Sequence, residues 1–176
     1  MKRIIGFLAA LLLPLSGSAQ LYIDTVKDVD AQIFIPKQRY ARAQQGMEDY
    51  NDLICSIEDG GHVNVYDFKT ADPKPIAMFE LASSQKDNHA NNASFGIETK
   101  KGATYPLLYI SVGKPGNAID LTCFVESITK KGKKFSSELV QKIILDINGW
   151  SEAGYVPIFG APSWMVDQKR GELWVF

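Results

Sequence analysis

Hydrophobic and polar positions along this chain alternate over short stretches and seldom keep a helical period. Asp52-Leu53-Ile54-Cys55-Ser56-Ile57 is a short apolar run that ends at Glu58-Asp59-Gly60-Gly61, a turn signal. His62-Val63-Asn64-Val65-Tyr66-Asp67-Phe68 then alternates, with Val63 and Val65 on one face. Thr70 to Pro75 holds Pro73 and Pro75 and reads as a second turn, and Ile76 to Leu81 reads as a third strand. Strand, glycine turn, strand, proline turn, strand predicts an antiparallel meander.

The unit recurs. Ala93 to Ile97 leads into Tyr105 to Ser111, followed by a Gly/Pro/Asn turn at Gly113 to Asn117. Asp120 to Ile128 is the next strand, and Thr129 to Lys134 is read as a basic turn. The stretch after it admits two readings. Leu139, Val140, Ile143 and Ile144 would share a helix face capped by Ser136 or Ser137, but Phe135 to Leu145 also fills the slot of an outer strand. Comparison with the first unit favours the strand. The chain begins a third unit with Trp164 to Asp167, a turn at Gln168 to Gly171, and Glu172 to Phe176. Leu53, Leu107 and Leu173 mark equivalent starts at irregular spacing. The fold class expected is all-β: a partial β-propeller of about two to three four-stranded antiparallel blades. Leu173 to Phe176 reads as an inner strand at which a ring of blades is cut short, leaving open edges as a route to self-association.

The amino end carries a different pattern. Lys2 and Arg3 precede an apolar run, Ile4 to Leu15, which is short of the roughly 20 residues a membrane span needs. Pro14 and small residues follow, with Gly17 and Ala19 at the small-residue positions of a cleavage site between Ala19 and Gln20. Residues 1–19 are therefore read as a signal peptide, 20–44 as an N-terminal extension and first strand, and 45–176 as the incomplete propeller-like domain. The expected location is secreted or periplasmic, with no membrane association after cleavage.

Composition narrows the function classes. The chain has 176 residues, 45% hydrophobic and 22% charged, which excludes a disordered chain. A net charge of -1 lacks the basic excess of a nucleic-acid binder. Lys130, Lys131, Lys133 and Lys134 read as a solvated hairpin tip, or as a basic patch for an anionic glycan. Cys55 and Cys123 each lie in an apolar run without CxxC spacing, and two separate buried thiols are favoured over a bridge. No GxSxG, HExxH, P-loop or GxGxxG pattern occurs.

Several stretches resemble a family of secreted bacterial β-propeller proteins of poorly defined function. They are Gln45-Gly46-Met47, His89 to Gly96, Tyr105 to Ser111, and Gly160 to Asp167 with Gly171 to Phe176. The last pair is also similar, more loosely, to the blade-opening strands of regucalcin-like six-bladed propellers. The resemblance implies a propeller fold and supplies no catalytic residue.

The densest polar cluster is Asp87-Asn88-His89-Ala90-Asn91-Asn92, just before a proposed inner strand. Asp87, His89, Asn91 and Asn92 offer hydrogen bonds to a ligand, or oxygen and nitrogen donors to a divalent metal. The structural reading beside it is that these residues tie down a loop. His62 reads as a surface turn residue. Glu48 and Asp49 lie on the first proposed inner strand, but neighbours on a strand point to opposite faces, so only one reaches the same channel. Trp150, Trp164, Trp174, Tyr105 and Tyr109 are read as core packing or as platforms for sugar rings. The function expected is a non-catalytic binding or interaction module without a required cofactor, whose partner is a small molecule, a glycan or a protein. The alternative is a carbohydrate- or lactone-acting enzyme with a divalent ion in the channel, drawing on His89, Asn91, Asn92 and Glu48.

Overall fold

The alternating runs become ten strands in a computed structural model that describes residues 42–70, 74–84, 88–113, 121–146, 149, 152–154 and 161–176. The signal-peptide reading with Ala19 and Gln20, and also Asp87 and Trp150, lie outside the described residues. The strands are β1 (Gln44–Tyr50), β2 (Leu53–Glu58), β3 (His62–Asp67), β4 (Ala77–Glu80), β5 (Asn92–Phe95), β6 (Leu108–Ser111), β7 (Thr122–Lys131), β8 (Lys134–Ile144), β9 (Trp164–Asp167) and β10 (Glu172–Val175). They form two four-stranded sheets, β1-β2-β3-β4 and β5-β6-β7-β8, and a hairpin, β9-β10. Every pair is antiparallel and every neighbour is consecutive in sequence.

The protein is therefore all-β, built from antiparallel four-stranded meanders. Among the described residues the three sheets stay separate and do not close into a ring. Phe135–Leu145 takes the strand reading, as the comparison between units favoured. Two expectations are corrected. The basic segment is not all turn: the β7–β8 ladder runs on to Lys131 opposite Lys134, and only Gly132 and Lys133 turn the chain. Gly132 has φ +62°, which suits glycine at a tight hairpin turn. His62 is also not a surface turn residue. It opens β3 opposite Glu58 and Glu80, its ring is largely buried, and Nδ1 lies 3.2 Å from the Glu80 carboxylate. The turn ends one residue earlier because Gly60 and Gly61 both take positive φ, at 85° and 78°.

The sheets stack in sequence order. β1 lies against β5 and β4 against β8, while β9 lies against β5 and β6. Cys55, Ile57, Val63, Val65 and Phe79 of the first sheet meet Phe95, Leu108, Ile110, Phe124 and Ile128 of the second. Each large apolar side chain so buried contributes about 1.5–3 kcal/mol. Phe135 is sandwiched between Phe79 and Tyr105, with ring centroids 5.9 and 6.0 Å away and nearly parallel planes. Gly46 sets the approach of β1 to β5, because a Cβ there would stand 3.0 Å from the Ala90 carbonyl oxygen. Cys55 and Cys123 are separate buried thiols.

Candidate functional site

The first strand of each sheet is an edge strand, and β1, β5 and β9 lie side by side. Edge strands expose unpaired N–H and C=O groups, which natural sheets must cover or satisfy. Here the side chains of neighbouring sheets satisfy them. Glu48 on β1 accepts a hydrogen bond from the Phe95 amide at 3.1 Å, and Gln168 Nε2 donates to the Phe95 carbonyl at 3.1 Å. Ser94 Oγ accepts from the Val166 amide at 3.1 Å, and Ser111 Oγ accepts from the Trp164 amide at 2.9 Å. Asn92 Nδ2 donates to the Trp164 carbonyl at 3.2 Å. The alternation of β5 makes this work: Ala93 and Phe95 face the first sheet, so Asn92 and Ser94 face the hairpin.

This geometry assigns positions to the residues singled out in the sequence. His89 Nδ1 lies 3.0 Å from Asp59 Oδ1, linking the loop before β5 to the β2–β3 turn. Asn92 reaches β9, whereas Asn91 is exposed beside Gly113. The three side chains thus engage three different elements. Asn88 is buried and organises the loop: its Nδ2 donates to Ser83 and its Oδ1 accepts from the Ala90 amide at 2.9 Å. Ala90 follows with φ 50°, a left-handed turn held in place by that bond. Among the described residues, no group of three or more His, Cys, Asp or Glu side chains is placed to hold a metal ion. Of the aromatic residues, Trp164 and Tyr105 are buried, while Trp174 is exposed and stacks on Phe176 at 6.3 Å.

Glu48 occupies a second environment besides its bond to Phe95. It lines a groove of about 310 Å³ with Met47, Asp49, Asn51, Ile54 and Phe68. Met47 and Phe68 are exposed apolar walls, at 59% and 47%. Burial raises the Glu48 carboxyl above its ordinary value of 4.5, partly offset by the Phe95 amide, and the neighbouring Asp49 charge raises it further. Asp49, exposed on β1, lines the same groove, and its charge acts on Glu48.

Two polar positions in apolar surroundings were not singled out in the sequence. Glu126, in the run Cys123 to Ile128, is fully buried and faces the first sheet. Its carboxylate accepts from the amides of Ala82 and Ser83, at 3.2 and 2.8 Å, and from the Ser137 hydroxyl at 2.5 Å. Glu58 is also fully buried and accepts from Asn64 Nδ2 at 2.7 Å. For Glu126 the available signal was an acid inside the apolar run Cys123 to Ile128, with partners too far along the chain to be inferred; Glu58, read in the sequence as the first residue of a turn, instead closes β2. Neither a protein-family model nor a curated protein matches this sequence.

Proposed function

We propose that this chain is an extracytoplasmic, propeller-type binding module without a catalytic role, and that the groove along β1 is its ligand site. The observation that carries the reading is the Glu48 groove: a desolvated carboxyl beside a second acid, walled by exposed Met47 and Phe68. Ligand pockets combine apolar walls with a few oriented polar groups. This one fits a small molecule with an apolar body and an amine or hydroxyl donor. The stacked four-stranded meanders, with β1, β5 and β9 adjacent, support blade-like layers. The amino-terminal pattern of Lys2, Arg3 and an apolar run supports export.

The test is a titration of isotope-labelled protein with benzylamine and, separately, benzyl alcohol, followed by amide chemical shifts. Shifts confined to residues 47–51, 54 and 68, and lost in Phe68→Ala, support the reading. Shifts scattered over the surface, or unchanged in Phe68→Ala, refute it.

A further inference from the structure

The β7–β8 hairpin outruns its sheet. β6 pairs with β7 only from Ser111–Cys123 to Leu108–Glu126, whereas β7 and β8 stay paired to Lys131–Lys134. The tip beyond carries Lys130, Lys131, Lys133 and Lys134, all exposed. A remote loop adds to it. The Lys130 amide donates to Thr104 Oγ1 at 2.9 Å, and further down the hairpin Lys100 pairs with Glu138. Four lysines thus concentrate at one hairpin tip in a chain whose net charge is -1. Among the described residues Lys101, Lys131, Lys133 and Lys134 have no acidic partner.

The surface beside the tip is channelled. A groove of about 440 Å³ is bordered by Tyr50, Asp52, Asp67, Lys69, Thr104 and Lys130, with Lys69 paired to Asp52. A second, of about 390 Å³, is bordered by Lys130, Lys133, Ile76 and Phe135. They share Lys130, whose Nζ stands 5.4 Å over the Phe135 ring. The two grooves therefore make one path across the seam between the stacked sheets, lined by Lys69, Lys130 and Lys133, with Lys131 and Lys134 on the other face of the same tip.

We propose that this end of the molecule binds an acidic polysaccharide. The lysines match its sugar carboxylates, while Thr104, Asp52 and Asp67 can bond its hydroxyls. Ile76 and Phe135 offer an apolar surface to the C–H faces of the rings. Asp52 and Asp67 in the path are acceptors for sugar hydroxyls, which a phosphate backbone supplies far more sparsely. A recessed, linear path suits a polymer better than a flat lipid surface. The proposal is independent of the Glu48 groove and stands or falls separately.

The test is affinity electrophoresis of the full chain through gels containing polygalacturonate, at low and at physiological salt, with fold checked by circular dichroism. Neutral dextran, a single-stranded oligonucleotide and phosphatidylglycerol vesicles serve as comparison partners. The expected result is retardation by polygalacturonate that weakens with salt, as screening requires. Apparent affinity should fall at least about tenfold in K131E/K133E/K134E, and less in the milder K131Q/K134Q, which leaves the Gly132-Lys133 turn untouched. Lys142→Glu, a single charge reversal away from the tip, should retain binding. The proposal is overturned if polygalacturonate retards neither form, or if the triple variant binds as the parent does. Equal or tighter binding to the oligonucleotide or the vesicles would also overturn it and assign the basic end to that partner.

Discussion

Replacing Glu126 with alanine probes the joint between the two four-stranded sheets. Its carboxylate, fully buried, bridges the turn after β4 and Ser137 on β8 through three hydrogen bonds. The Ser83 amide is buried with it and would be left without an acceptor, at a cost of about 1–3 kcal/mol. Ala82 and Ser137 are at least partly exposed, so water can replace part of their loss. A cavity adds to the cost, and relief from burying a charge subtracts from it. The net expectation for Glu126→Ala is a loss of about 2–3 kcal/mol, or roughly 5–10 °C in Tm for a domain of this size. Glu126→Gln keeps one acceptor oxygen and should lose about half as much. Ser137→Ala removes a single donor and should cost about 1 kcal/mol, whereas Glu138→Ala, exposed on the same strand, should change stability by less than about 0.5 kcal/mol. Urea unfolding followed by tryptophan fluorescence measures all four. A Glu126→Ala variant as stable as the parent, or no more affected than Glu138→Ala, would refute the inter-sheet joint.

Three further outcomes follow from the geometry. Burial pushes both cysteine thiols up to about 12; a thiol reagent at mildly alkaline pH should therefore label Cys55 and Cys123 only in denaturant, and rapid native labelling would contradict the buried, separate thiols. Glu48 has a raised folded value, so the native state holds its proton longer than the unfolded state, and its ionisation lowers stability as pH rises above 4.5. Thermal unfolding of Glu48→Gln should accordingly show a stability gain over the parent that grows from pH 4 toward neutrality; a gain confined to acid would have the wrong sign. Gly113 and Gly132 share a left-handed φ, 63° and 62°, but a Cβ on Gly113 would lie 2.2 Å from the Asn91 side chain while one on Gly132 meets nothing within 4 Å. Gly132→Ala should cost about 1–2 kcal/mol, and Gly113→Ala clearly more; equal losses in calorimetry would show that the packing around Asn91 is wrong.

The meander was legible in the sequence because its cues are local. Gly60-Gly61, Pro73-Pro75 and the alternation through Val63 and Val65 mark turns and strands without reference to distant residues. The strand at Phe135–Leu145 emerged from comparison between units, since its own periodicity also fits a helix. The exact turn at Gly132-Lys133 did not, because lysine side chains are as compatible with an exposed strand as with a loop. The candidate site was legible only in part. Glu48 could be placed on an inner edge, but its bond to Phe95 spans 47 residues of sequence. Glu126 and Ser83 are 43 apart, and Lys100 reaches its partner Glu138 across 38 positions. Hydrogen bonds of that range depend on how the sheets stack, which strand patterns leave open. His62 shows the same effect, because its burial follows from its neighbours across the ladder, Glu58 and Glu80.

The central structural claim is that the sheets stack in sequence order and that side chains of one layer satisfy the edge strand of the next. Native-state amide hydrogen exchange tests this directly. Phe95 and Val166 have outward-pointing edge amides whose acceptors are Glu48 and Ser94 of the adjacent layers, and the Trp164 amide meets Ser111. If the stack is right, these three amides exchange at least about 100-fold more slowly than an unstructured chain, and Ser94→Ala releases Val166 while leaving Phe95 protected. Exchange of all three at unstructured rates, in a protein whose other strand amides are protected, would contradict it.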